Sequence, residues 1–323
     1  MIVVTGAAGF IGSCVATYIM SEYDAEVVIV DDFSREDKKN NLVALADATR
    51  VDRKDFIGWL DVLTTPIDII VHLGARTDTT EFDRSIFDDL NLNYSRAVWN
   101  YCAAHHVPLI YASSAATYGS GEHGYDDDHS IVRDLVPLNP YGESKNDFDA
   151  WALDQVQTPP NWYGLKFFNV YGPNEYHKGR MASVIFHAFK QIEKTGAMKL
   201  FRSHNPDFKD GEQLRDFVYV KDVIRVIHFL MKAKPESGLY NLGTGTARTF
   251  LDLTRAVFKA LDRTEDISFV DTPADIRDKY QYFTKANMDK LHRAGFKGDF
   301  TPLETGVEDY VRNYLVINAY YRA

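Results

Sequence analysis

The first 170 residues alternate short apolar, β-branched runs with longer stretches in which apolar residues recur every three or four positions. The runs are "IVVT", "EVVIVD", "DIIVHLG", "PLIYASS" and "WYGLKFF", and each is followed by a helical pattern. Strands that are apolar on both faces, separated by amphipathic helices, predict a parallel sheet covered on both sides. The helices are expected over residues 11–21, 86–105, 141–156 and 182–194. The third is introduced by "NPYGESK", where Pro140 suits a first helical turn.

After Asn169 this regularity loosens. "RSHNPDFKDGEQLRD", residues 202–216, reads as a polar excursion within one body, and "FVYV" and "GLYNLG", flanking the helical "KDVIRVIHFLMKA", read as strands that rejoin the first sheet. Right-handed crossovers then give an α/β fold, a doubly wound parallel sheet of the Rossmann type with a smaller interleaved α/β unit. Residues 1–168 and 217–244 are expected to form the first unit, and residues 169–216 and 245–323 the second. No repeat or heptad pattern breaks the chain.

Composition narrows the partners. The 323 residues are 45% hydrophobic and 25% charged, with a net charge of −10, which disfavours a nucleic-acid surface and points to small molecules and further copies of the chain. Cys14 and Cys102 fall in helical patterns and cannot build a disulfide framework, so a reducing compartment is expected. The chain opens directly into "MIVVTG", and no apolar run approaches the ~20 residues of a membrane span. A soluble cytoplasmic protein without membrane contact is the expectation. His177 and His187 lack a ligand-spaced partner, so no metal site is expected, and His105 and His106 suit the negative end of a helix. The acidic "YDDDH", residues 125–129, reads as a solvated loop, and Phe167 and Phe168 as sheet core.

Three segments carry chemistry. "TGAAGFIG" places Gly6, Gly9 and Gly12 between a strand and a helix, where glycines permit a tight turn and close approach of a pyrophosphate to the helix N-terminus. Asp31 ends the second strand, where a carboxylate binds a ribose 2′-hydroxyl as in NAD. The nearby Arg35, Lys38, Lys39, Arg53 and Lys54 suit the 2′-phosphate of NADP instead. Ser113 and Ser114 end the fourth strand, and Tyr141 and Lys145 follow in "YGESK". Of the 19 tyrosines, only Tyr141 has a lysine four residues on. Spaced so on a helix, the ammonium would lower the phenol from its reference pKa of about 10 towards the range of a general base. Lys178, in "VYGPNEYHKGRMAS", is by itself a solvated loop cation.

With "HLGA", "FFNVYGP" and "RDFVYVKDV", these segments make the chain resemble the extended short-chain dehydrogenase/reductases, the NAD-dependent epimerase/dehydratase family, over essentially its whole length. "ASSAATYG", "FNVYGPNEYHKGRMASV" and "RDFVYV" are most similar to the branch that inverts carbon 6 of an ADP-linked heptose, a precursor of the lipopolysaccharide inner core of Gram-negative bacteria. The resemblance implies NADP as a transient hydride store, with NAD the lesser choice. It implies Tyr141 and Lys178 as paired acid/base groups, Ser114 assisting, and Lys145 on the nicotinamide ribose.

Cofactor contacts would then include Phe10, Ile11, Asp31, Asp32, Lys38 and Arg53, then Leu73, Gly74, Ala75, Arg76 and Thr77, and finally Asn91 and Val170. Substrate contacts would fall on Asn169, Arg180 and His187, on Phe201, Arg202, Ser203 and His204, and on Arg215 and Tyr280. A homo-oligomer, a pentamer or decamer, is implied as well. Arg53 replaces the family's lysine, Arg180 its serine, and the excursion before Arg215 is longer. Relatives that dehydrate carry Asp-Glu where this chain has Ala115 and Ala116. A UDP-sugar 4-epimerase, or a non-catalytic NADP-binding regulator, would share most of these features.

Overall fold

The computed structural model describes residues 1–273, 277 and 281–323. Its main sheet has seven strands: β1 (Ile2–Thr5), β2 (Val27–Asp31), β3 (Thr49–Asp52), β4 (Ile69–His72), β5 (Leu109–Ser114), β6 (Trp162–Phe167) and a last strand at Gly238–Leu242. The order across the sheet is Gly238–Leu242, β6, β5, β4, β1, β2, β3, and every pairing is parallel. The period-two alternation of a strand sends its side chains to two cores. Ile2 and Val4 pack in one with Cys14, Val15 and Ile19 of α1 (Phe10–Glu22). Val3 packs in the other with Val98 and Trp99 of α4 and Phe148 of α5, once α2 (Phe56–Val62), α3 (Arg84–Phe87), α4 (Tyr94–Ala104) and α5 (Pro140–Leu153) are numbered in order. The doubly wound α/β fold is therefore present.

The smaller unit holds a three-stranded sheet, in which Leu214–Tyr219 lies between Asn169–Tyr171 and Ala247–Thr249, and a parallel pair of Met198–Phe201 with Ile267–Val270. Two expectations are corrected here. "FVYV" does not rejoin the main sheet: Phe217, Val218 and Tyr219 pair with Asn169, Val170 and Tyr171. Nor is "YDDDH" solvated throughout, since Asp127 is buried and accepts the Asn241 N–H at 2.7 Å, bracketing the last main-sheet strand. "TRVD", the polar edge strand β3, was not anticipated as a strand.

Trp99 is fully buried, with the ring of Trp162 at 5.1 Å and those of Trp151 and Phe148 at 6.0 and 6.2 Å. Trp99→Ala should cost about 3–5 kcal/mol of stability. Urea unfolding checks this; a midpoint near that of the unsubstituted protein would contradict the packing described.

Candidate active site

The turn after β1 depends on Gly6, whose φ is +70° and whose Cβ, were there one, would stand 2.7 Å from the Cα of Gly74. The exits of β1 and β4 thus touch backbone to backbone. A buried relay holds them there. Thr5 Oγ1 accepts the Gly74 N–H at 3.1 Å and meets His72 Nδ1 at 2.6 Å, and His72 Nε2 meets Ser95 Oγ at 3.0 Å. Burial drives the His72 pKa down to about 3, so the ring is neutral. The N-cap of α1 is Gly9, with no side chain closing it, and Phe10, Ile11 and Gly12 of the first turn line a cavity of about 320 Å³. Open first-turn N–H groups beside a cavity suit a pyrophosphate.

At one end of this cavity stand Asp31, Arg35, Lys38, Arg53 and His177. Asp31 is largely committed: its carboxylate accepts the N–H of Ala8 (2.9 Å) and Asp32 (2.7 Å) and the Lys38 ammonium (3.0 Å). Arg53 lies 3.6 Å from Asp32, and Arg35 pairs with Asp37. Burial, with Lys38 and Lys178 close by, lowers His177 to about 4.

Leu73, Gly74, Ala75, Arg76 and Thr77, after β4, form a neighbouring wall. Asn91 braces it from a widened, π-type turn, Asp88–Asn93, accepting the Arg76 N–H at 2.8 Å and donating to the Arg76 carbonyl at 3.0 Å and to Ser144 Oγ at 3.0 Å. Asn91, Asp32, Val170 and Lys145 are not among the lining residues, nor are Ser114 and Tyr141.

Ser114 ends β5, and its hydroxyl accepts the Ala116 N–H at 3.1 Å. Asn139 caps α5 by accepting the Gly142 N–H at 2.8 Å, which sets Tyr141 in the first turn and Lys145 one turn later. The ammonium of Lys145 donates to the Ala112 carbonyl at 2.7 Å, and burial lowers it to about 8. The expected lowering of Tyr141 by Lys145 is not found. Burial raises the phenol above its ordinary value, opposed by a hydrogen bond with Ser114 and reinforced by the charge of Asp149.

Lys178 comes from the turn Tyr176–Met181, lines the cavity, and holds its ammonium 5.5 Å from the centre of the Phe10 ring. Burial lowers its pKa, against the opposing charge of Glu175. Glu175 was missed by sequence reasoning. It is fully buried and accepts the Ser183 N–H (2.5 Å) and hydroxyl (2.6 Å), tying this turn to the helix Val184–Thr195. The chain's end is a second missed brace, since Tyr176 donates to the Ala319 carbonyl at 2.7 Å and the Tyr321 N–H to Asn174 at 2.8 Å. Neither contact leaves a local sequence signal.

Asn169, Arg180 and His187 are exposed, with His187 Nε2 3.3 Å from the Arg180 carbonyl and Arg180 3.4 Å from Asp78. In the smaller unit Arg202 approaches Asp210 and Asp271, the Ser203 N–H donates to Asp210, and the His204 N–H to the Tyr282 hydroxyl. Phe201 ends the strand before them. Arg215 is buried over the Phe250 ring and donates to the Leu214 and Gln281 carbonyls. Tyr280 lies outside the described residues. Among the described residues, no cluster of three His, Cys, Asp or Glu side chains could hold a metal ion, and no helix is long and apolar enough to cross a membrane.

Comparison with known proteins places this geometry. The model of the NAD dependent epimerase/dehydratase family matches residues 2–243. The chain belongs to that family. A Fusobacterium nucleatum protein named ADP-L-glycero-D-manno-heptose-6-epimerase is 46% identical over 325 residues, covering 98% of each chain, and one of that name from Nitratidesulfovibrio vulgaris is 46% identical with the same coverage. The crystal structure of the Helicobacter pylori enzyme of that name superposes with a TM-score of 0.82 at 27% identity, covering 97% of this chain and 95% of that one. A Methanobrevibacter ruminantium UDP-N-acetylglucosamine 4-epimerase shares the fold, with a TM-score of 0.81 at 21% identity and 98% of each chain covered. Family membership makes the cofactor a pyridine dinucleotide, and the glycine turn, the open helix N-terminus and the basic end fit one.

Removing the Asn91 brace should be felt at the cofactor. Asn91→Ala leaves the Arg76 N–H and carbonyl without these partners, so dinucleotide affinity should fall about tenfold, the equivalent of one lost buried hydrogen-bond pair. Titration calorimetry on apo-protein reads it; unchanged affinity would show that the wall holds itself.

Proposed function

We propose that the protein is an isomerase that interconverts the carbon 6 epimers of an ADP-linked glycero-manno-heptose, as the relatives' shared name suggests. The observation that carries this reading is the arrival of two proton-carrying groups from different elements. Tyr141 stands beside Ser114 at the start of α5, and Lys178 reaches the cavity wall from a separate turn. Bound NADP would supply the acceptor and donor of hydride at carbon 6.

Inverting a carbon through its ketone requires the other face of that ketone to be presented, which carries the oxygen away from the first acid/base group. Tyr141 serves one orientation. Raised by burial, its phenol holds a proton at neutral pH, as protonation of a ketone oxygen requires, and the hydrogen bond with Ser114 favours the phenolate left when that proton is given up. Lys178 serves the other orientation, its burial bringing the ammonium down towards the working range of an acid/base group.

Lys145 would hold the nicotinamide ribose, while Asn169, Arg180, His187, Phe201, Arg202, Ser203, His204, Arg215 and Tyr280 would bind the sugar nucleotide. NADP is preferred over NAD because Asp31 is occupied and Arg35, Lys38 and Arg53 are gathered at that end. Ala115 and Ala116 offer no acid for dehydration. The reading includes action in the cytoplasm, in lipopolysaccharide precursor synthesis, as a homo-oligomer. It also takes residues 1–168 and 217–244 as the dinucleotide-binding part, with the "FVYV" strand reassigned as above.

Incubation with ADP-D-glycero-D-manno-heptose, followed by NMR, should show inversion at carbon 6; an unchanged spectrum from cofactor-loaded protein would refute the assignment. Tyr141→Phe should lower turnover by at least ~100-fold while dinucleotide binding is kept. Lys38→Met with Arg53→Met should erase a preference for NADP of ~10-fold or more, the scale of one or two charge-assisted contacts. A preference surviving both substitutions would place the 2′-phosphate elsewhere.

A further inference from the structure

Lys166 of β6 and Asp149 of α5 form an ion pair at 2.8 Å, with side chains 1% and 0% exposed. Such a pair contributes little to stability, because desolvating two charges offsets their attraction, so its presence calls for another reason. The contacts supply one. Asp149 accepts the Ser113 hydroxyl at 2.6 Å and the Tyr111 hydroxyl at 3.1 Å. Lys166 also donates to Thr117 Oγ1 at 2.8 Å, Thr117 donates to the Ser114 carbonyl at 2.8 Å, and the ammonium lies 5.1 Å from the centre of the Tyr118 ring. Lys145 holds the Ala112 carbonyl. Four consecutive residues of β5, from Tyr111 to Ser114, are therefore gripped in turn, and Asp149 sits on the α5 face of Tyr141 and Lys145, at successive four-residue steps.

We propose that the Asp149–Lys166 pair is a positioning device for the reacting groups: it locks the exit of β5 to α5, so that Ser114 meets the Tyr141 phenol, and it sets a buried anion one turn below Lys145. Neither residue lines the cofactor cavity. The groups around Lys145 are Asp149 and Tyr141 on its own helix, with Lys166 from β6 behind Asp149, and His72 from β4, which burial keeps neutral. Asp149 alone among them opposes the effect of burial on the Lys145 ammonium. Without that anion Lys145 loses its proton at lower pH, and activity that needs the ammonium fails earlier on the alkaline side.

The proposal rests on Tyr141 as proton carrier, so Tyr141→Phe is included as a control. Asp149→Asn should lower kcat by at least ~10-fold, leave KM and dinucleotide affinity within ~3-fold, and move the alkaline limb of the kcat–pH profile down by about one unit. The double variant Asp149→Leu with Lys166→Met fills the space without charge; it should fold yet keep the low kcat and the shifted limb. Should neither fold, Ser113→Ala, which keeps both charges, should still lower kcat by ~3-fold or more. A folded Asp149→Asn or double variant with wild-type kcat and limb overturns the proposal, as does full activity of Ser113→Ala. A loss of rate with an unmoved limb overturns the electrostatic half. An active Tyr141→Phe overturns the reading beneath it, whereas an inactive control beside a wild-type Asp149→Asn overturns the pair alone.

Discussion

All six pairings of the main sheet are parallel, so all seven strands open their carboxyl ends on one edge. That constraint places the chemistry. Because β1 lies between β2 and β4, the Gly6 turn, Asp31 and Gly74 meet around one cavity, as ligand sites in such sheets do. Ser114 leaves the same edge at the end of β5, and Lys178 follows a strand that begins two residues after β6. Loops alone could not hold these groups in register; the sheet does so through backbone hydrogen bonds.

The second determinant is where an acidic protein keeps its cations. Net charge is −10, yet Arg35, Lys38, Arg53 and Lys178 share one cavity. At its basic end, attraction for an anionic nucleotide is concentrated while the remaining surface stays unattractive to nucleic acid. Lys178 in that cavity and Lys145 outside its lining both lose some of their hold on the proton through burial, and each has a single opposing carboxylate, Glu175 or Asp149. Each of these lysines is thus opposed by one buried acid in its own neighbourhood.

Local features were legible in the sequence. The glycine turn follows directly on a strand of four apolar-patterned residues, and the Tyr141 and Lys145 spacing needs only one helix to have meaning. Features that depend on which elements meet were not. "FVYV" has strand character but no local mark of its partner, and it joined the smaller sheet. "TRVD" is polar because β3 is an edge strand, so its alternation is weak. Asp127, Asp149 and Glu175 look like surface acids, since burial is decided by packing from distant segments. The same blindness explains Tyr141: four-residue spacing shows that Lys145 is near, but not that the Ala112 carbonyl takes its ammonium or that burial outweighs it.

The central claim is that one carbon is oxidised and reduced again within a single site, with protons moving only on oxygen. Running the epimerisation in deuterium oxide tests it most directly, with carbon 6 of both epimers examined by NMR and mass spectrometry. The account predicts that the hydrogen at carbon 6 is retained through inversion, with no solvent deuterium there after many turnovers. Deuterium incorporated at carbon 6 in step with inversion would mean that the carbon itself is deprotonated, and would contradict the roles given to Tyr141 and Lys178.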